Sequence, residues 1–168
     1  YSFIGVGRED GKEKGEFAPI LYDTSKYTNL KHITFWLSET PDTISKGWDA
    51  VLERICTYGS FENKKTGRKF HVFNAHFDHM GVIAREMSAK LIVNKIGSYC
   101  SEKDQVIVMG DFNSVPKSKT IAVFNEELIN GLNAAQKTFM GVEGTFNGFE
   151  TEIKVTKRID YIFIKNAT

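Results

Sequence analysis

The stretch VIVMGDFNSVP, residues 106–116, runs four apolar residues into Gly110, Asp111, Phe112 and Asn113 before the chain turns at Pro116. Side chains alternate along a strand, so an acid and an amide two residues apart share one face. At a strand's end that face can open as a mouth. There a carboxylate can orient or deprotonate water, or hold a hard cation. The amide can donate to a phosphoryl oxygen without adding negative charge. The pair suits a phosphate ester. Asp and Asn are also common turn formers, so four residues alone leave a plain turn as the competing reading.

Two further stretches repeat the pattern. Asn74-Ala75-His76-Phe77-Asp78-His79 follows a separate apolar run, with polar groups again alternating at its end. Arg158-Ile159-Asp160-Tyr161 sets Asp160 inside an apolar strand, where an unpaired carboxylate would be costly. Three strands thus carry Asp, Asn or His at comparable positions, which favours one shared site over three separate turns. His76 and His79 lack the i, i+4 spacing of a helical zinc motif and no CxxC assists them, so a structural zinc is not expected.

The elements that must hold these residues are legible in outline. GREDGKEKG, residues 7–15, is a charged, glycine-rich loop. Residues 15–23 read as a strand with Pro19 at an edge or bulge. Residues 27–37 read as one or two short strands, 38–49 as a loop, 51–61 as a strand. Residues 63–69 form a hairpin turn centred on Thr66–Gly67, and 70–77 the return strand. Between Val82 and Tyr99 the apolar period becomes helical. Residues 105–109 form a buried strand, 118–124 a short helix, 125–150 an irregular stretch, and 158–164 a closing strand. Many strands with few helices predict an α/β chain of two stacked sheets.

Composition sets the limits. The chain has 168 residues, 41% hydrophobic and 26% charged, which suits one domain with a sizeable core. Its net charge of +1, from 22 basic and 21 acidic residues, does not mark a protein that coats nucleic acid nonspecifically. Cys56 and Cys100 are expected as free, partly buried thiols. No run approaches the ~20 apolar residues of a membrane span. No signal peptide is visible; cytoplasmic and exported locations both stay open, and a monomer is expected.

Taken in order, GEFAPILY, TFWLSETP, WDAVLER, NAHFDH, GDFNSVP and RIDYIF resemble the endonuclease/exonuclease/phosphatase superfamily, the deoxyribonuclease I-like phosphoesterases. The resemblance covers nearly the whole chain. It implies a four-layer α/β/β/α sandwich, incomplete in this chain, and Mg²⁺- or Mn²⁺-assisted attack of water on a phosphate ester. By resemblance, Asp111 positions or activates the water and Asn113 binds the scissile phosphate. His76 contacts the phosphate or leaving group, and Asp160 orients a second histidine. Glu16 supports His76 or the metal; a solvated strand-start glutamate is the other reading. Arg54 is either a phosphate contact or a surface salt bridge. Asn74 and Asp78 join the residues expected to line the substrate, while a loop role is favoured for His79. Trp36 and Trp48 are expected to pack, although the loop of Trp48 could reach a substrate.

Two family elements have no counterpart here. The early Asn- and Glu-bearing strands would precede this chain, and the closing Ser-Asp-His strand would follow Thr168. The natural protein is therefore expected to be longer at both ends, with Glu16 and Asp111 only a weak metal pair. GDFNSVPKS resembles the nuclease and deadenylase branches more than the inositol phosphatases. A phosphodiester, including nucleic acid, is the expected substrate. A small or lipid phosphate ester, or a noncatalytic binding module on the same fold, are the alternatives.

Overall fold

The computed structural model describes residues 1–137 and 140–166. Ser2–Ile4 (β1) and Ile20–Tyr22 (β2) pair antiparallel as a small sheet. Tyr27–Trp36 (β3), Ile55–Asn63 (β4), Lys69–His76 (β5), Gln105–Asp111 (β6), Ile129–Asn130 (β7) and Asp160–Lys165 (β8) form a larger one. Its strand order is β3-β4-β5-β6-β8-β7. Val82–Tyr99 (α1) connects β5 to β6, and that crossover is what lets these two strands run parallel. Lys119–Glu127 (α2) follows β6, and Gly131–Ala134 (α3) is a single turn.

Period-two alternation divides the large sheet into two faces. Tyr58, Phe73, Val106, Val108 and Phe163 look one way and bury against Ala89, Ile92 and Ile96 of α1 and Ile121 and Phe124 of α2. Phe61 and Val72 look the other way and meet Ile4 and Ile20 of the small sheet, with Ile107 and Met109 alongside. Helices, large sheet and small sheet are thus stacked layers of an α/β sandwich. Among the described residues, no helix is long and apolar enough to cross a membrane. Cys56 is buried and Cys100 half-buried, and both are free thiols.

Several boundaries differ from expectation for local reasons. Residues 27–36 are one strand, bulged between Asn29 and Lys31. Of residues 15–23 only 20–22 join a strand ladder, because Pro19 has no N–H to give. β4 starts at Ile55 rather than Val51, since the Val51 and Leu52 amides donate to Asp78 instead. The stretch 125–150 contains β7 and α3; two residues pairing on the outer edge of β8 leave no periodicity to read. Residues 138 and 139 of that stretch lie outside the described ones.

At the start of β6, far along the sheet from its polar end, a triad built on the buried Tyr58 and His71 carries a pH dependence. The Tyr58 hydroxyl lies 2.9 Å from His71 Nδ1, and His71 Nε2 lies 3.3 Å from an Asp104 carboxylate oxygen. Burial pushes the His71 imidazole down, and Asp104 pulls it only partly back. The unfolded chain then binds the extra proton, near its ordinary pKa of about 6.5. Stability therefore rises with pH across that range and is lost as pH falls below it. Urea midpoints measured between about pH 7.5 and 5.5 should fall on acidification. His71→Gln should flatten that slope, and an unchanged slope in the variant would remove His71 from the account.

Candidate active site

β8 runs antiparallel to β6, so its first residue lies beside the last residues of β5 and β6. The register places His76 opposite Asp111, and Asp111 opposite Asp160. All three belong to the set that faces away from α1 and α2, in phase with Val72, Met109 and Ile162. The glycine before Asp111 is forced. Gly110 has φ 139°, and a Cβ there would stand 1.9 Å from the Ala75 carbonyl oxygen. Only glycine lets β6 lie this close to β5 at the point where Asp111 must face outward.

Past the strand the chain turns. Phe112 is fully buried, and its N–H donates to the Ile159 carbonyl. Asn113 takes the left-handed conformation at φ 45°, which asparagine tolerates, and its N–H donates to Asp111 Oδ1 at 2.8 Å. The turn reading and the site reading of Asp111 and Asn113 are therefore both realised. Asn113 lies beyond the strand, so it is the turn, not strand alternation, that aims its side chain. Its Nδ2 donates to the Phe77 carbonyl at 3.0 Å and lies 3.3 Å from His76 Nε2. Asp111 Oδ2 is 3.7 Å from the same nitrogen.

Glu16 stands on the other side of the imidazole. Its Oε1 lies 3.2 Å from His76 Nδ1, and its Oε2 accepts from Arg8 Nη1 at 2.5 Å. Arg54 Nη1 lies 3.8 Å from that oxygen. Glu16 is thus half-exposed but paired, and not a free ligand. Burial is the largest influence on Asp111 and pushes its carboxyl above the usual range; facing Asp160 pushes the same way, against the Asn113 N–H and His76. Burial also dominates at His76 and holds it below the ordinary imidazole range, with Arg54 and Arg8 adding to the effect. An ion pair would drive both groups the opposite way, and at each of them burial outweighs it.

The remaining expected residues are placed less as foreseen. Asp160 is exposed, not buried in its strand, because it is the first residue of β8 and faces an open cleft. Asn74 sits one strand position pair back from His76, and its Nδ2 donates to the Pro19 carbonyl, tying the small sheet to the large one. Asp78 does not line the mouth. It is 1% exposed and accepts from the Val51, Leu52, Met80 and Gly81 amides and from Arg54 Nε. Arg54 is 4% exposed, so it makes neither a surface salt bridge nor a ready phosphate contact. Its partners are Asp78, Glu16 and, at 3.0 Å, His79 Nδ1. Trp36 is buried and donates from Nε1 to the Arg8 carbonyl; Trp48 is half-buried in its loop. Arg8 was hidden in the charged loop, and no sequence signal marks it.

The site is divided between two concavities. A cleft of about 980 Å³ is lined by Asp111 and Asp160 with Asn74, Arg158, Glu143 and Tyr161 among others. A much smaller hollow holds His76, Glu16, Arg8 and Arg54. Among the described residues, no three His, Cys, Asp or Glu side chains gather as metal ligands. Glu16 does not fit a divalent cation, since two guanidiniums already surround it. Asp111 and Asp160 do fit one: their facing carboxylates repel each other and open on the cleft, and Mg²⁺ needs only one or two carboxylates with water and substrate oxygens.

No family model matches the chain. Solved structures do. An endonuclease/exonuclease/phosphatase family protein from Bacteroides thetaiotaomicron is 42% identical, with a TM-score of 0.91 over 98% of this chain. The chain belongs to the endonuclease/exonuclease/phosphatase superfamily. The mannosyl-6-phosphatase Bt3783 of the same organism is 41% identical, also with a TM-score of 0.91 over 98% of this chain. The chain spans 60% and 62% of the lengths of these two structures. TDP2 of D. rerio, solved with a single-strand DNA product, has a TM-score of 0.73 at 19% identity; this chain is covered in full and spans 63% of it. That last likeness is one of fold alone.

Proposed function

We propose that the protein is a phosphoester hydrolase that uses Mg²⁺ or Mn²⁺. The observation that carries this reading is the register row of His76, Asp111 and Asp160, closed by Asn113. Asp111 directs the attacking water. Its raised carboxyl is a stronger base than an ordinary aspartate, which suits proton abstraction. In the free protein one Asn113 N–H points to His76 Nε2. An arriving phosphoryl oxygen competes for that N–H, and Nε2, once released, takes up a proton from solvent and becomes a second donor to the phosphate. A cation held by Asp111 and Asp160 would supply polarisation of a phosphoryl oxygen. Asp160 is also free to orient a further group across the cleft.

For the substrate, a small phosphate ester is favoured over nucleic acid. Among the described residues, the large cleft is lined by Asp111, Glu143 and Asp160 against a single cation, Arg158. A polyanion needs a basic track, and this wall lacks one. The likeness to a mannosyl-6-phosphatase at 41% identity points the same way. The test is phosphate release with Mn²⁺ or Mg²⁺ from hexose 6-phosphates, nitrophenyl phosphate, bis-nitrophenyl phosphate and single-stranded DNA. Metal-dependent hydrolysis of the monoesters with DNA left intact is expected. Cleavage of DNA or of the diester in preference would restore the phosphodiesterase reading. No turnover on any of them would favour a noncatalytic binding module.

A further inference from the structure

The glycine-rich loop GREDGKEKG is a built structure, not a tether. Asp10 Oδ1 accepts the Lys12 and Lys14 amides, the Glu9 amide donates to the Lys14 carbonyl, and Gly11 closes back on the Gly7 carbonyl. What the loop delivers is Arg8. The backbone of Arg8 is held on both sides: its N–H donates to the Glu16 carbonyl, and its carbonyl accepts from Trp36 Nε1 at 2.8 Å. Its side chain is aimed at one target, the Glu16 carboxylate.

The hydrogen-bond geometry around His76 fixes its tautomer. Asn113 approaches the Phe77 carbonyl, which can only accept, so the amide nitrogen and not the oxygen must sit there. The same nitrogen lies against His76 Nε2, which must therefore accept. The proton of a neutral ring then belongs on Nδ1, whose neighbour is Glu16 Oε1. Glu16 is half-exposed, at 49% of its side chain, and Arg54 is too far from it for a hydrogen bond. Of the two guanidiniums beside this carboxylate, Arg8 is the one that donates a hydrogen bond to it.

We propose that Arg8 is a positioning residue which, by gripping Glu16, fixes the proton of His76 on Nδ1 and leaves Nε2 bare toward the mouth. Only the turnover readout below rests on the phosphoester reading. The Arg8 side chain is placed at a cost. Its Nε is buried with no hydrogen-bond partner among the described residues, which costs free energy. Its anchoring to Trp36 uses the backbone, which any replacement keeps. A residue placed at such a cost and aimed at the partner of a site histidine has its use in orientation.

The test reads the imidazole directly. In protein labelled with ¹⁵N-histidine, ring nitrogens that carry a proton are distinguished from bare ones, and the His76 signals are those lost in His76→Gln. The intact protein should show Nδ1–H and a bare Nε2 at neutral pH. Arg8→Met should stay folded, lose the single tautomer, and lower kcat about 10- to 100-fold with KM little changed, by analogy with the partners that orient metal-bound imidazoles. Arg8→Lys should restore part of both. A wild-type tautomer in folded Arg8→Met overturns the proposal, because Asn113 alone would then suffice. So does loss of folding in both Arg8→Met and Arg8→Lys, which would make the residue structural. Should the tautomer change as expected while no variant or parent hydrolyses any phosphoester, the functional reading fails and the positioning role stands.

Discussion

Asp111→Asn lowers turnover of the phosphate ester by at least ~100-fold, the lower end for loss of a positioned acid–base group. The variant should fold. Asp111 keeps 31% of its side chain exposed and lies on the open face of the sheet, so no core packing is lost. Asparagine can also keep the turn, because its Oδ1 accepts the Asn113 N–H as the carboxylate does. What it cannot do is take a proton from water, or offer the cleft a negative charge beside Asp160. The acid limb of the rate has a defined sign. Burial raises the Asp111 carboxyl, so the basic form is lost while pH is still above the ordinary aspartate value of about 3.9. Rate should therefore fall on acidification earlier than for an exposed aspartate, and the limb should vanish in the variant's residual activity. The measurement is kcat against pH at saturating Mn²⁺, beside a thermal melt. Near-parental turnover in a folded variant would remove Asp111 from the chemistry.

The parts of this site that a local pattern encodes were legible in the sequence. VIVMGD reads as a strand ending in an acid, and Val82 to Tyr99 as a helix, because alternation and helical period depend on neighbours only. The register sets His76, Asp111 and Asp160 in one row with Asn113 beside His76, but His76 and the two aspartates line different concavities, which the expectation of a single mouth did not contain. What could not be read was which groups already had partners. Alternation carried through NAHFDH sends Asp78 to the side of His76, but β5 stops at His76 and the chain then turns inward. Arg54, in WDAVLER, looks like a surface cation until Asp78 and Glu16 close over it. Asp160 looks buried by its neighbours Ile159 and Tyr161, yet its face of β8 is open. Arg8 is the clearest case. Arg8 and Glu16 lie eight positions apart, and the turn at Gly11 brings them together. Partnership is a property of long-range packing, and one sequence does not display it.

Asp78→Ala should destabilise the protein by about 3–5 kcal/mol, the cost of breaking a buried ion pair from one side. For a chain of this size that lowers Tm by about 6–20 °C. Asp78 holds three things at once. Its Oδ2 receives Arg54 Nε and the Val51 and Leu52 amides, which brings the loop before β4 against the sheet. Its Oδ1 receives the Met80 and Gly81 amides at the start of α1. That helix has no side-chain cap of its own and no acid in its first turn. Asp49 accepts the Ile83 and Ala84 amides, so two carboxylates from outside the helix share the work of capping its N-terminus. Burial alone would raise the Asp78 carboxyl, but the amides and Arg54 outweigh it and leave it lowered. Its contribution is thus present above the ordinary aspartate pKa and is lost as pH falls through the lowered one. A paired variant separates the causes. If much of the loss is the stranded charge of Arg54, the double variant Asp78→Ala with Arg54→Met should recover part of it, since an apolar side chain of similar length leaves no buried guanidinium unpaired. If the loss is mainly the open amides, the double variant should be no better than Asp78→Ala. A single variant within about 1 kcal/mol of the parent would show that neither contact holds this loop, and that the wall behind Glu16 and His76 is fixed by other means.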